Sequence, residues 1–205
     1  MKKEKLEKIQ YVAVYCSSHM PRSAEYADAV AAFGKYLAEH KMNLAYGGGG
    51  TGLMKHLADS VLKNGGNVYG VFTAVLLAFL RHPELTDCVI VRNLSERKAE
   101  MLRRSDVVVA LPGGFGTWDE LFDALALRKN RKGHKRPVGI LNVNGYFDPL
   151  LELIERSIRL GFVSPKDRQL LKVGKTPDSL FRQLAGSLVS HDGKTSQSQV
   201  NFERN

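Results

Sequence analysis

Short apolar runs alternate with longer amphipathic stretches along most of the chain. Residues 11–16 (YVAVYC), 42–48, 67–72, 88–91, 106–111 and 137–143 have strand character. The run DVVVAL at 106–111 is apolar almost throughout, as expected of a strand buried on both faces. Helical spacing predicts helices over 23–40, 51–64, 95–104, 117–129, 146–160 and 177–188. Ser23 and Ser95 are placed to cap the first and third of these, and Gly65–Gly66 stops the second. The segment AVLLAFL at 74–80 is too short to span a bilayer. It reads as core first and as a contact between two copies of the chain second.

Strand and helix alternating at this spacing predict an α/β fold, a doubly wound parallel sheet with helices on both faces. One domain over 1–189 accounts for the pattern. Residues 190–205 are polar and are expected to form a disordered tail. Ligands of such sheets bind beyond the carboxyl ends of the strands, near the point where strand order reverses. The residues that follow each strand are therefore the ones to inspect.

Composition narrows the classes. With 205 residues, 43% hydrophobic and 25% charged, the chain suits a globular protein with a core of its own. Two cysteines, Cys16 and Cys88, support neither a disulfide framework nor a zinc site, so a reducing cytoplasm is the expected compartment. No segment reads as a signal peptide or a membrane span. The net charge of +9 draws on a cluster of Arg128, Lys129, Arg131, Lys132, Lys135 and Arg136 around His134. Cations suit a helix C-terminus, and no aromatic residues interleave here, so the cluster reads as a solvated helix end before it reads as a nucleic-acid surface.

Three segments could carry chemistry. AYGGGGTGLM (45–54) follows a strand and opens a helix. Glycines there let the backbone approach a ligand, and a helix start offers free N–H groups to an anion. It is neither a dinucleotide fingerprint nor a P-loop, and a tight turn without a ligand explains it equally well. LPGGFGTWDEL (111–121) is a second glycine turn before a helix. Thr117 and Glu120 have capping-box spacing, which competes with a role at a ligand phosphate. In NLSERKAEMLRRSD (93–106), Arg97 and Lys98 fall in the first helical turn, where cations oppose the macrodipole. Either they pair with Glu96 or Glu100, or they are placed for an anionic ligand. In a parallel sheet all three segments converge on one edge, making a pocket for a phosphorylated, nucleotide-sized ligand. The P-loop lysine of a kinase is missing, as is the acidic ribose ligand of a dehydrogenase. No lysine stands out as a Schiff-base candidate for pyridoxal phosphate chemistry.

YGGGGTGLM, SERKAEMLRRSD, LPGGFGTWDEL and the following RPVGILNVNGYFDPLLELIERSIRLGFV together resemble the Lonely Guy family over about residues 10–185. These are cytokinin riboside 5′-monophosphate phosphoribohydrolases, long mislabelled as lysine decarboxylases. The resemblance implies a Rossmann-like homodimer, or a higher homo-oligomer, that needs no metal or redox cofactor. It implies a nucleoside 5′-monophosphate substrate cleaved to free base and ribose 5-phosphate. No membrane partner is expected, and a nucleic-acid partner through the 128–136 stretch is the least favoured reading. Arg97 and Glu120 match the family's catalytic pair. Lys98, Gly113, Gly114, Phe115, Gly116, Thr117, Trp118 and Asp119 match its substrate and phosphate contacts, and Gly48 and Gly49 its first nucleotide-binding turn. The chain departs from the family at Ser17 and Lys55, where glycines are usual. It departs at Phe79, where a substrate-contacting glutamate is expected, and at Ala126, Leu127, Arg128 and Lys129. These departures leave the base open, whether AMP, a cytokinin riboside monophosphate or another nucleotide. A nucleotide sensor or carrier that does not hydrolyse is the alternative.

Overall fold

The computed structural model describes residues 2–130 and 133–188; the expected tail at 190–205 lies outside them, as do Arg131 and Lys132. After a short helix α1 (Lys2–Leu6), strands and helices alternate: β1 (Tyr11–Tyr15), α2 (Ala24–Glu39), β2 (Asn43–Tyr46), α3 (Gly52–Lys63), β3 (Val68–Thr73), α4 (Ala74–Leu80), β4 (Asp87–Val91), α5 (Leu94–Arg104), β5 (Val107–Ala110), α6 (Phe115–Lys129), β6 (Val138–Leu141), α7 (Asp148–Arg159), β7 (Leu171–Gly174) and α8 (Pro177–Gly186). The seven strands form one parallel sheet in the order β4-β3-β2-β1-β5-β6-β7.

This order sets the site. From β1 the chain steps outward to β2 and β3, while β5 lies on the other side of β1. Right-handed crossovers then put α2 and α3 on one face and α5 and α6 on the other. Beyond the carboxyl ends of β1 and β5 the connections diverge and leave a crevice. Val107, Val108, Val109 and Ala110 of β5 are wholly buried, as are Val12 and Ala13 of β1, so the floor of that crevice is rigid.

Several expectations needed correction. Ser95 does not cap α5: Asn93 does, its side chain accepting the Glu96 N–H at 2.9 Å. Ser23 stands at the N-cap of α2 without a side-chain capping bond. The segment 74–80 is a helix but not a core one, since Val75 is 68% and Phe79 81% exposed. Its N-cap is Thr73, which accepts from Leu76 N–H. Two elements had no expectation at all, α1 and the strand β7, which pairs with β6 from Val138↔Leu171 to Leu141↔Gly174.

Candidate active site

The glycine turn after β2 is shaped by an arginine. A Cβ on Gly47 would lie 1.6 Å from Arg97 Nη2, so only a bare backbone leaves room for the guanidinium. Arg97 reaches there from the first turn of α5. Its Nε donates to the Val71 carbonyl of β3 at 2.9 Å, and its Nη1 donates to Glu120 Oε1 at 3.0 Å. Both side chains of this pair are only 13% exposed. Arg97 is thus braced by backbone on one side and a carboxylate on the other, a use suited to the fixed fork of a guanidinium.

Glu120 comes from α6, whose start differs from the expectation. The helix begins at Phe115 with Gly114 as N-cap, and Thr117 sits buried inside the first turn. The anticipated Thr117–Glu120 capping box does not form, so Glu120 is free to face Arg97. Gly113 is forced by the same packing, because a Cβ there would lie 2.1 Å from Thr117 Oγ1. Burial pushes the Glu120 carboxyl up to about 7; the Arg97 guanidinium pulls it back, and the Asp119 carboxylate adds to the rise. Beside it, burial raises the Cys16 thiol and the Tyr15 phenol, and the Glu120 charge raises both further.

These groups line a cavity of about 610 Å³ at the carboxyl edge of the sheet. Arg97, Glu120, Lys98 and Asp119 face it, with Gly49 from the first glycine turn. Gly114, Phe115, Gly116 and Thr117 form its α6 wall. Lys98 is held by Asp119 at 3.0 and 3.1 Å and by Asp123 at 3.8 Å. Three of the expected residues do not line it. Gly48 has φ +76° and packs against the Phe72 ring, Gly113 packs on Thr117, and Trp118 stands edge-on to Phe115 with ring centroids 5.2 Å apart. Phe79 and residues 126–129 also lie outside the lining.

Sequence reasoning missed the segment after β1. Tyr15, Cys16, Ser17, Ser18 and His19 all line the cavity, as do Met54 and Leu76. The rule that ligands gather at carboxyl ends of strands applied to β1 as well, but that segment has no glycine cluster to flag it.

The basic cluster is largely tied to backbone. Arg136 donates through Nε and Nη2 to the carbonyls of Ser105 and Arg103 at the end of α5. Arg128 donates to Lys135 O at 3.1 Å, and a His134 ring nitrogen bonds Ala124 O at 2.8 Å. Lys129 pairs with Asp167 at 2.9 Å. Among the described residues of the cluster, Arg128, His134 and Arg136 are thus half-buried against backbone, with Arg136 on the carbonyls that end α5.

The family described as "possible lysine decarboxylase" matches residues 54–184. A probable cytokinin riboside 5′-monophosphate phosphoribohydrolase of Oryza sativa subsp. japonica, LOGL9, is 39% identical over 178 residues, covering 84% of this chain and 76% of its own. The chain belongs to the Lonely Guy family. Within that family, the Arabidopsis thaliana cytokinin riboside 5′-monophosphate phosphoribohydrolase LOG5 is 34% identical over 198 residues, or 94% of this chain and 85% of its own. Among solved structures, the molybdenum cofactor binding protein of Rippkaea orientalis superposes with a TM-score of 0.64 at 19% identity, over 88% of this chain and 98% of that one. That likeness carries the Rossmann-like fold and nothing of function.

Proposed function

We propose that this chain hydrolyses the N-glycosidic bond of a nucleoside 5′-monophosphate, releasing the free base and ribose 5-phosphate. The curated relatives are phosphoribohydrolases by name. The observation that carries the reading is Glu120: a carboxylate titrating near neutrality, braced by Arg97, on the wall of a nucleotide-sized cavity. Cleavage of this bond develops positive charge on the ribose. A fixed carboxylate stabilises that charge and takes a proton from the attacking water. Arg97, engaged with Val71 and Glu120, serves to hold the glutamate rather than the phosphate. The phosphate belongs at the start of α6, where Gly114 and Gly116 line the cavity and a helix start offers free N–H groups to an anion. Met54 and Leu76 give the base an apolar wall. AMP and cytokinin riboside monophosphates both fit this description.

The remaining parts of the reading are assembly and place. Phe115, Trp118 and Phe122 leave apolar surface on one face of α6, with Leu94 also exposed, which supports pairing of two copies. Among the described residues no helix is long and apolar enough to cross a membrane. A homodimer in the cytoplasm fits the family and the cysteine usage.

The test is chromatography of AMP, isopentenyladenosine monophosphate and a panel of other nucleoside monophosphates after incubation with the purified chain. Free base and ribose 5-phosphate are expected from the wild type and not from Glu120→Gln. Tight nucleotide binding with no product from any substrate would replace the hydrolase with a carrier.

A further inference from the structure

The hydrolysis moves two protons, and Glu120 accounts for one. Water adds its oxygen to C1′ and gives up a proton to Glu120. The bond from C1′ to the base nitrogen breaks, and its electron pair leaves with the base. A purine anion is a poor leaving group, so the base must receive a proton as it departs. Most cavity groups that could supply it are excluded. The Tyr15 phenol and Cys16 thiol are pushed upward and make poor acids. Arg97 is tied to Val71 and Glu120, and Lys98 to Asp119 and Asp123.

His19 remains. Its segment is clamped between the two glycine turns: Ser17 N–H donates to Pro112 O at 3.3 Å, and Met54 N–H donates to Ser17 O at 3.1 Å. Gly52, with φ +57°, packs so closely beneath the Ser18–His19 peptide that a Cβ there would lie 2.3 Å from Ser18 C. The His19 N–H donates to Ser17 Oγ at 3.0 Å, closing a turn that fixes the backbone of His19 at the cavity wall. Nδ1 lies 3.3 Å from Ser18 Oγ, and among the described residues Nε2 has no partner. Imidazole is also a side chain able to donate a proton to a leaving group and recover it from solvent each turnover.

Resting on the phosphoribohydrolase reading, we infer that His19 is a second catalytic residue, the acid that protonates the departing base. The imidazolium gives its proton to a ring nitrogen of the base as the C1′–N bond breaks. Glu120 takes the water proton, and exchange with solvent returns both groups to their starting states. The sum is nucleotide plus water giving base plus ribose 5-phosphate.

The dependence on the leaving group tests this. Turnover of AMP is compared with that of 4-nitrophenyl ribofuranoside 5-phosphate, whose phenolate leaves without a proton. His19→Ala and His19→Asn should each lower kcat for AMP by about 100-fold or more, the usual range for losing a general acid. The nitrophenyl substrate should keep its rate to within about threefold, because that step needs no acid. Equal losses on both substrates, or no loss on AMP, would overturn the role of His19 and leave the hydrolase standing. Failure of the wild type to cleave any nucleotide would overturn both.

Discussion

The two glycine turns look alike in sequence and do different work. In the turn at 47–50 the glycines answer to the protein's own side chains. Gly47 makes room for Arg97 and Gly48 for Phe72. The Arg81–His82 segment straps the turn down, with His82 N–H on Gly48 O at 2.9 Å and a bridge between Gly49 and Arg81. That strap is anchored in turn, as the buried His82 bonds Asp59 at 2.9 Å and Asp59 pairs with Lys55 at 2.6 Å. At 113–116 only Gly113 is filled against the protein, while a Cβ on Gly114 or Gly116 would meet nothing within 4 Å. The first turn seats Arg97; the second leaves the backbone at Gly114 and Gly116 uncovered by the protein's own side chains.

Glu120→Gln removes the group toward which both turns are organised. Turnover should fall by about 1000-fold or more while nucleotide affinity measured by calorimetry stays within threefold. The same variant reports on burial. A carboxyl raised in the folded state stabilises the fold below its unfolded pKa, and that stability is lost as pH rises through about 7. Thermal melts should therefore show the variant more stable than wild type at pH 8, with the gap closing toward pH 4.5.

Gly47→Ala should drive the guanidinium out of its seat. A loss of about 100-fold in kcat is expected, since a misplaced brace leaves Glu120 disordered, together with about 1–3 kcal/mol of stability from overpacking. Wild-type activity at Gly47→Ala would show that Arg97 does not need this position.

Acidification protonates the glutamate base. With Glu120 as base, kcat/KM should fall about tenfold per pH unit below about 7. A profile flat down to pH 5 would mean that the ionised carboxylate is not the working form.

The smallest effect on the fold belongs to Gly116→Ala. The site is helical and open, so stability should stay equal or rise by up to about 1 kcal/mol. KM for the nucleotide should rise, since the added methyl occupies ligand space. Unchanged KM would place the phosphate elsewhere.

Much of the frame was legible in the chain. The apolar runs located six strands to within a residue or two; for the inner strands the reason is that a strand covered on both faces must be apolar at nearly every position, while the edge strand β4 stays partly exposed. The seventh, LKVG at 171–174, escaped: four residues with a lysine and a glycine carry no periodic signal. The helix starts misled in the opposite way. Ser95 and Thr117 have the right chemistry for caps, yet the caps fall two and three residues earlier, on Asn93 and Gly114. Local hydrogen-bonding chemistry marks a neighbourhood, and packing chooses the residue.

By itself, then, the sequence determined the α/β class, the parallel sheet and the two glycine turns, since each follows from polarity and backbone freedom along a few adjacent residues. Only the tertiary structure decided that Arg97 and Glu120, 23 positions apart, meet at 3.0 Å. It alone buried the Glu120 carboxyl enough to titrate near 7 and brought Ser17 to His19 to the same wall. Those outcomes depend on strand order and desolvation, which are properties of what surrounds a residue in space and not of its neighbours along the chain.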